Sequence, residues 1–302
     1  MFKAETIPKL PRLELQNFAP PIRRQLQEAF DDARSHPSDG AAAGRLGMLF
    51  QAYSQFEAAA VCYQRARVLQ PEEWKWIYYH GVAQALLGRH EQAAAALAEV
   101  VRRKPDYLAA HLKLGESLFS SGKIIESQRI YETVIKAHPD SAAAQYGLGR
   151  ASAARREFVI AVEHLTKACD LFASFGAAHY ALGLAYRDLG DAGKAQEQLA
   201  LYQKNKLVWP PAVDPLLDAV DDLNAGAQYH LKKGIALQSA GQTQAAVAEH
   251  ERALQIDPNF AQAHVNLITL YGRLGQPVSA EKHYRAAVAI NANLAEAHYN
   301  FG

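Results

Sequence analysis

The fold of this 302-residue chain is decided by residues 179–199, HYALGLAYRDLGDAGKAQEQL. Their glycine at position 183 ends a series spaced by 34 residues: Gly47, Gly81, Gly115, Gly149 and Gly183. A small residue follows each glycine after twelve positions: Ala59, Ala93, Ser127, Ala161 and Ala195. The register then slips by half a period, and the 34-residue spacing resumes at Gly234, Ile268 and Gly302. A period of this length, held through seven copies, predicts a stack of repeated helix pairs.

The repeated positions have a common physical role. Small side chains allow the two antiparallel helices of one repeat to approach closely. A larger residue sixteen positions after the glycine fills the space beside that contact: Tyr63, Leu97, Tyr131, Leu165, Leu199 and Tyr284, with His250 as the exception. Proline ends the second helix because it cannot continue the hydrogen-bond ladder, and this predicts helix ends at Pro71, Pro105, Pro139 and Pro258. Gly88, Gly122 and Gly241 mark the turns within pairs, where glycine tolerates positive φ.

This pattern resembles the tetratricopeptide repeat (TPR) family, whose fingerprint is W-x2-L-G-x2-Y, then A-x3-F, then P. The best matches are residues 179–199 and residues 235–258, IALQSAGQTQAAVAEHERALQIDP. The resemblance covers about Ala41 to Gly302. It implies an all-α fold, a right-handed α-solenoid of helix-turn-helix repeats. It also implies a concave groove, lined by the first helix of each pair, where peptides or partner segments bind.

The irregular stretches predict four parts. Residues 1–36 are expected to form an extended arm followed by a capping helix, and residues 37–207 an array of five repeats. Residues 208–226 are an insertion with a short helix. Residues 227–302 form a second block of two repeats plus a truncated third.

The insertion departs most from the repeat. Trp209, Pro210 and Pro211 force an extended or turned backbone, whereas Asp214 and Pro215 form a favourable helix start. Two interpretations stay open: a neutral loop insertion, or a hinge or partner-specific surface.

Helical periodicity identifies candidate groove residues. Positions two and three before each glycine, and one and four after it, face the groove. The candidates are Tyr78, Tyr79, Lys113, Glu116, Tyr146, Arg150, Tyr180, Arg187, Lys232, Asn266, Tyr299 and Asn300. Tyrosine and arginine often anchor interfaces, so the groove would suit an extended peptide with carboxylates or an accessible backbone. The alternative is that the tyrosines serve packing alone.

No catalytic, cofactor or metal site is predicted. The chain contains no His-Glu-x-x-His, Gly-x-Ser-x-Gly or Walker sequence. Five histidines stand four positions before the repeat glycine, at His111, His179, His230, His264 and His298. Neighbours in this series lie in helix layers too far apart to share one metal ion, whose ligands sit about 2 Å away. We expect these histidines to pack structurally, and we expect Cys62 and Cys169 to be core residues.

Charge and hydropathy argue against nucleic-acid binding and membrane insertion. Lys plus Arg number 32 and Asp plus Glu number 31, which gives no electrostatic reason to expect nucleic acid. No apolar run approaches the roughly 18 residues of a membrane span, so no membrane insertion is expected. The start of the chain has no apolar run typical of a secretory signal. This favours the cytoplasm, or the periplasm if the chain is a processed fragment.

The sequence therefore predicts a protein-protein interaction scaffold, not an enzyme, whose partner is a protein or peptide. One alternative is the non-catalytic targeting half of a larger enzyme, such as an O-linked N-acetylglucosamine transferase. Asn266 and Asn300 resemble two rungs of the asparagine ladder in those proteins, and the last repeat breaks off partway. Another alternative is a structural component of a bacterial envelope or secretion assembly.

Overall fold

The structure is a computed structural model that describes residues 6–211 and 213–302. Residues 1–5 of the predicted arm and residue 212 of the insertion lie outside the described residues. Within the described ranges the chain forms seventeen α-helices and no strand, which confirms the predicted all-α class. None of the helices in these ranges has the length and apolar composition needed to cross a bilayer.

The helices follow one another with short turns between them. They are α1 (Pro20–Ser35), α2 (Gly40–Ala52), α3 (Phe56–Leu69), α4 (Trp74–Leu86), α5 (His90–Arg103), α6 (Leu108–Ser120), α7 (Ile124–Ala137), α8 (Ala142–Ala154), α9 (Phe158–Leu171), α10 (Gly176–Asp188), α11 (Ala192–Asn205), α12 (Pro215–Asp221), α13 (Ala227–Ser239), α14 (Thr243–Ile256), α15 (Ala261–Arg273), α16 (Pro277–Ile290) and α17 (Ala295–Phe301). Helices α3, α5, α7 and α14 each end two residues before a predicted proline stop.

Consecutive helices pack as pairs. The pairs are α2 with α3, α4 with α5, α6 with α7, α8 with α9, α10 with α11, α13 with α14 and α15 with α16. The first helices of neighbouring pairs also touch, from α2 and α4 through to α8 and α10. We call the continuous face formed by α2, α4, α6, α8 and α10 the first-helix surface.

Glycine makes the contact within a pair possible. A Cβ atom at Gly115 would lie 2.7 Å from the Tyr131 ring, and one at Gly149 would lie 2.5 Å from Leu165 Cγ. Both separations are too short for non-bonded carbon atoms, so only glycine fits there. Tyr131 and Leu165 are buried at these contacts. The predicted pairing of the repeat glycine with the residue sixteen positions later is therefore confirmed.

The turn within each pair needs a left-handed residue seven positions after the repeat glycine. Gly88, Gly122 and Gly241 have φ of +72°, +80° and +75°, as their sequence context predicts. Ser54 and Arg156 hold the same position in two other repeats, with φ of +59° and +64°. The backbone geometry of the repeat therefore overrides residue preference at these two turns.

The chain divides into two compact units. Unit 1 comprises the described residues through Arg12 together with Asp32–Val220, and unit 2 comprises Leu13–Asp31 and Asp221–Gly302. In unit 1, Pro8 O accepts a hydrogen bond of 2.7 Å from Arg65 Nη1, so this part of the arm lies on α3. In unit 2, Gln25 Nε2 of α1 donates to Leu223 O at 3.0 Å. The four-part division predicted from the sequence stays a prediction beside these two units.

Candidate partner-binding surface

Asp214 of the insertion is buried against the first-helix surface of unit 1. Tyr78 and Tyr107 donate hydroxyl hydrogen bonds to its two carboxylate oxygens, and the bond from Tyr107 is 2.7 Å long. Lys113 Nζ lies 3.8 Å from Asp214 Oδ2. Only 5% of Asp214 is exposed, so these groups replace the water that the carboxylate has lost.

The protonation states suit this arrangement. Burial raises the pKa of the Tyr78 hydroxyl, and the Asp214 carboxylate raises that pKa further. The pKa of Tyr107 is raised by burial and by its hydrogen bond to the same carboxylate. Both phenols therefore stay protonated and act as donors at neutral pH. Burial lowers the pKa of Lys113, while the Asp214 carboxylate partly restores it.

Two backbone carbonyls of the insertion are bound as well. Tyr79 Oη donates to Leu216 O at 3.0 Å, and the Tyr79 ring stacks on Tyr63 with centroids 5.3 Å apart. At the other end of the insertion, the Gly176 amide donates to Val208 O at 3.2 Å. The stretch of the insertion from Val208 to Leu216 is thus fixed at one end by the start of α10 and at the other by α4.

An aromatic cluster lies between these ends. The Trp209 ring centroid is 5.8 Å from that of Tyr146 and 5.2 Å from that of Phe175. Tyr146 and Phe175 are themselves 4.9 Å apart. Edge-to-face and tilted ring pairs at these distances are favourable beyond their buried area.

These contacts define one bound stretch of chain. We call residues 208–211 and 213–216 the internal segment. It crosses the first-helix surface from α10 towards α4, opposite to the order of the repeats along the chain. A cavity of about 500 Å³ remains beside it, lined among others by Leu108, Leu112 and Pro211.

Three further predicted residues, Glu116, Tyr146 and Arg150, contact one another on the same surface. Arg150 Nη1 of α8 lies 2.8 Å from Glu116 Oε2 of α6. The Arg150 guanidinium also lies 4.1 Å from the Phe119 ring centroid and 5.2 Å from that of Tyr146. This group joins two neighbouring repeats.

The remaining predicted residues lie outside these contacts. Tyr180 is exposed and packs on Tyr202 of α11, and the exposed Arg187 pairs with its neighbour Asp188 at 3.4 Å. Four candidates belong to unit 2: Lys232, Asn266, Tyr299 and Asn300. The structure therefore brings together six of the predicted residues: Tyr78, Tyr79, Lys113, Glu116, Tyr146 and Arg150. That they bind a partner stays a prediction.

Sequence reasoning missed four residues of this surface. Tyr107 and Phe175 stand eight positions before a repeat glycine, an offset that helical periodicity within the first helix does not reach. The recurrence of an aromatic residue at that offset was the available signal. Trp209 and Asp214 were interpreted only as a turn residue and a helix start. Asp214 does cap α12, since its Oδ1 accepts from the Leu217 amide at 3.4 Å.

Three of the recurring histidines, His179, His264 and His298, hydrogen bond to a carbonyl of the turn before their own helix. His179 Nε2 hydrogen bonds to Ala173 O at 2.9 Å and its Nδ1 to Gln198 Oε1 at 2.7 Å. His264 repeats this arrangement with Pro258 O at 3.1 Å and His283 Nδ1 at 2.9 Å. Among the described residues, no three His, Cys, Asp or Glu side chains are placed to hold a metal ion together.

Helix pairs of this length, stacked in sequence through their first helices, define the class of TPR proteins. Two sequence profiles described as tetratricopeptide repeat match this chain, one over residues 84–151 and 237–300 and the other over residues 45–107. The chain belongs to the TPR family. No curated protein sequence matches it significantly.

Several solved structures are similar to this chain. MamA from Desulfovibrio magneticus RS-1, residues 41 to the end, is 21% identical, with a TM-score of 0.51 over 55% of this chain and 94% of that chain. TTC0263, a thermophilic TPR protein of Thermus thermophilus, is 20% identical, with a TM-score of 0.46 over 61% of this chain and 98% of that chain. A chain of the APC/C hetero-tetramer Cut9-Hcn1 is 15% identical, with a TM-score of 0.47 over 93% of this chain and 52% of that chain.

Proposed function

We propose that this chain is a protein-interaction scaffold, and that the first-helix surface of unit 1 binds an extended segment of a partner protein. One observation supports this proposal above others. The surface already binds a stretch of the chain's own polypeptide, whose described residues are non-helical up to Asp214 and enter α12 at Pro215, through a carboxylate, two backbone carbonyls and an aromatic ring. The same donors and rings suit equivalent groups of a partner.

The composition of the surface agrees with this role. TPR proteins bind protein partners and usually lack catalytic activity. Tyrosine and arginine supply much of the binding energy at protein interfaces. On this surface they come from different repeats, because Tyr78 and Tyr79 lie on α4, whereas Tyr146 and Arg150 lie on α8. No catalytic role is proposed for any of them.

The test compares two matched double variants after a partner has been identified by affinity purification with the full chain. Tyr146→Ala with Arg150→Ala changes the part of the first-helix surface that contacts Trp209 and Glu116. Tyr180→Ala with Arg187→Ala removes the same residue types from exposed positions of α10 on the same surface that make no contact with the internal segment. We expect the first variant to weaken partner affinity at least tenfold, measured by calorimetry, and the second to leave it unchanged.

Circular dichroism and thermal unfolding of both variants check that the helices remain intact. Normal affinity in a folded Tyr146→Ala and Arg150→Ala variant would place partner binding on another face and refute the proposal.

A further inference from the structure

We infer that the internal segment is a built-in ligand of the first-helix surface, and that the partner is an acidic peptide which takes its place. That partner would carry an aromatic residue several positions before a carboxylate, as Trp209 precedes Asp214. The inference rests on the proposed function and specifies the chemistry and the competition at the same surface.

The carboxylate site exceeds what a helix cap requires. Asp39 and Asp191 also cap helices, by accepting from Ala41 N at 2.8 Å and Lys194 N at 3.0 Å. Their side chains stay about 40% exposed, whereas the side chain of Asp214 is 7% exposed. Asp214 also receives two phenol hydroxyls and faces an ammonium group. Capping the seven-residue helix α12 does not require these additional contacts. The arrangement is that of a site which recognises a buried carboxylate.

The internal segment is held at separate points and not by continuous packing. Its flanking and intervening apolar residues face solvent, with Leu207 92% and Val213 81% exposed, and even Trp209, whose ring packs on Tyr146 and Phe175, is 56% exposed. A cavity of about 500 Å³ remains beside it. A segment that buries so little apolar area can leave its surface without unfolding the repeats. Local release of this kind makes exchange with another peptide feasible.

The chemistry of the contacts describes the competing peptide. The site formed by Tyr78, Tyr107 and Lys113 holds one carboxylate, so a partner carboxylate enters only when Asp214 leaves. A neutral or basic side chain there would leave Lys113 without its counter-charge. The array contacts the segment's backbone through the carbonyls of Val208 and Leu216. Carbonyl contacts of this type tolerate proline, which lacks an N–H group.

The test uses a fluorescent synthetic peptide of residues 207–218, LVWPPAVDPLLD, added to the full chain. In the variant Trp209→Ala with Asp214→Asn, the internal segment loses its two side-chain anchors and keeps its two carbonyl contacts. We expect this variant to bind the peptide at least tenfold more tightly than the wild-type chain. A peptide with alanine for the tryptophan and asparagine for the aspartate should not bind. Asp191→Asn, which changes an exposed capping aspartate, should behave like the wild type.

Hydrogen exchange on the wild-type chain gives a second measurement that needs no substitution in the protein. A peptide with phenylalanine in place of tryptophan, distinguishable by mass, is added at saturation. We expect faster amide exchange at residues 213–218 of the chain. Unchanged exchange, or equal peptide affinity in wild type and a folded Trp209→Ala and Asp214→Asn variant, would overturn the inference.

The identified partner separates this inference from the proposed function. If the partner needs Tyr146 and Arg150 but binds wild type and Trp209→Ala with Asp214→Asn equally, the inference fails and the proposed function stands. If the Tyr146 and Arg150 variant binds the partner normally, the proposed function fails. Dimerisation of the Trp209→Ala and Asp214→Asn variant with wild-type chain would identify a second copy as the occupant and overturn the assignment to a partner.

Discussion

At the scale of single residues, His250 is where one repeat departs chemically from the others. It stands sixteen positions after Gly234, where other repeats carry tyrosine or leucine. Its side chain is fully buried, and neither ring nitrogen has a hydrogen-bond partner among the described residues. Burial lowers the pKa of His250 to about 4, although the adjacent Glu249 carboxylate opposes this shift. A buried polar group without a partner costs about 1–3 kcal/mol.

His250→Leu should therefore stabilise unit 2. We expect the free energy of unfolding to rise by roughly 1–2 kcal/mol, because leucine removes two unpaired polar atoms while filling similar space. Urea unfolding followed by circular dichroism measures the change. His230→Leu is the control: its ring hydrogen bonds to Glu249 at 2.7 Å, so that variant should lose stability. A His250→Leu protein less stable than wild type would contradict this account.

Arg156 is a second residue whose identity conflicts with its backbone. Its φ is +64° and its side chain is exposed, so the left-handed conformation is costly and no buried contact offsets it. We expect Arg156→Gly to raise the unfolding free energy of unit 1 by about 0.5–1 kcal/mol. The reverse change at the equivalent turn, Gly122→Arg, should lower it by about 1 kcal/mol. Thermal denaturation compares the two, and equal melting temperatures would count against a strained turn.

At the scale of helices, the spacing between neighbours depends on glycine facing a large ring. Tyr131 of α7 packs against both neighbouring first helices. An added Cβ at Gly147 of α8 would lie 2.3 Å from Tyr131 Cζ. At Gly272, near the end of α15, an added Cβ would meet no atom within 4 Å. The two glycines thus differ in what surrounds them and not in helical conformation.

Alanine at these two glycines should have opposite effects. Gly147→Ala overpacks the contact with Tyr131, and we expect a loss of about 1–3 kcal/mol. Gly272→Ala should gain about 0.5–1 kcal/mol, because alanine restricts the unfolded chain and favours the helix. Urea unfolding of each variant supplies the free energies. A stabilising Gly147→Ala would show that α7 and α8 can separate without penalty.

At the scale of the whole molecule, buried histidines make stability depend on pH in both units. Burial, aided by Arg67, lowers the pKa of His80 to about 4. In unit 2, burial and the neighbouring His264 lower the pKa of His283 to about 4. The Nδ1 atoms of His264 and His283 are 2.9 Å apart, so one ring must donate and the other accept. Protonating both rings would break this hydrogen bond.

The sign of the pH effect follows from these pKa values. An unfolded histidine titrates near pH 6.5, so below that pH the unfolded chain binds more protons than the folded chain. Stability from these histidines is therefore complete above about pH 6.5 and decreases as the pH falls towards 4. We expect urea midpoints to fall between pH 6.5 and 5, and less so in His250→Leu with His283→Gln. A flat wild-type profile between pH 6.5 and 5 would refute the prediction.

The sequence by itself determined the helix pairs, their turns and the class of protein. The contact between Gly115 and Tyr131, and the turn at Gly122, involve residues that lie within one repeat of each other. Such local contacts recur with the 34-residue period, so the sequence pattern predicts them directly. The same periodicity placed Tyr78 and Tyr146 on one face.

Only the tertiary structure decided what that face holds. Asp214 meets Tyr107 across 107 residues and Tyr78 across 136, and no periodic rule links an insertion to a repeat that far back. In sequence, Asp214 before Pro215 signals only a helix start. In the folded chain, Asp214 is buried and accepts hydrogen bonds from Tyr78 on α4 and from Tyr107 just before α6. These contacts join residues far apart in sequence, so they form only once the repeats have stacked.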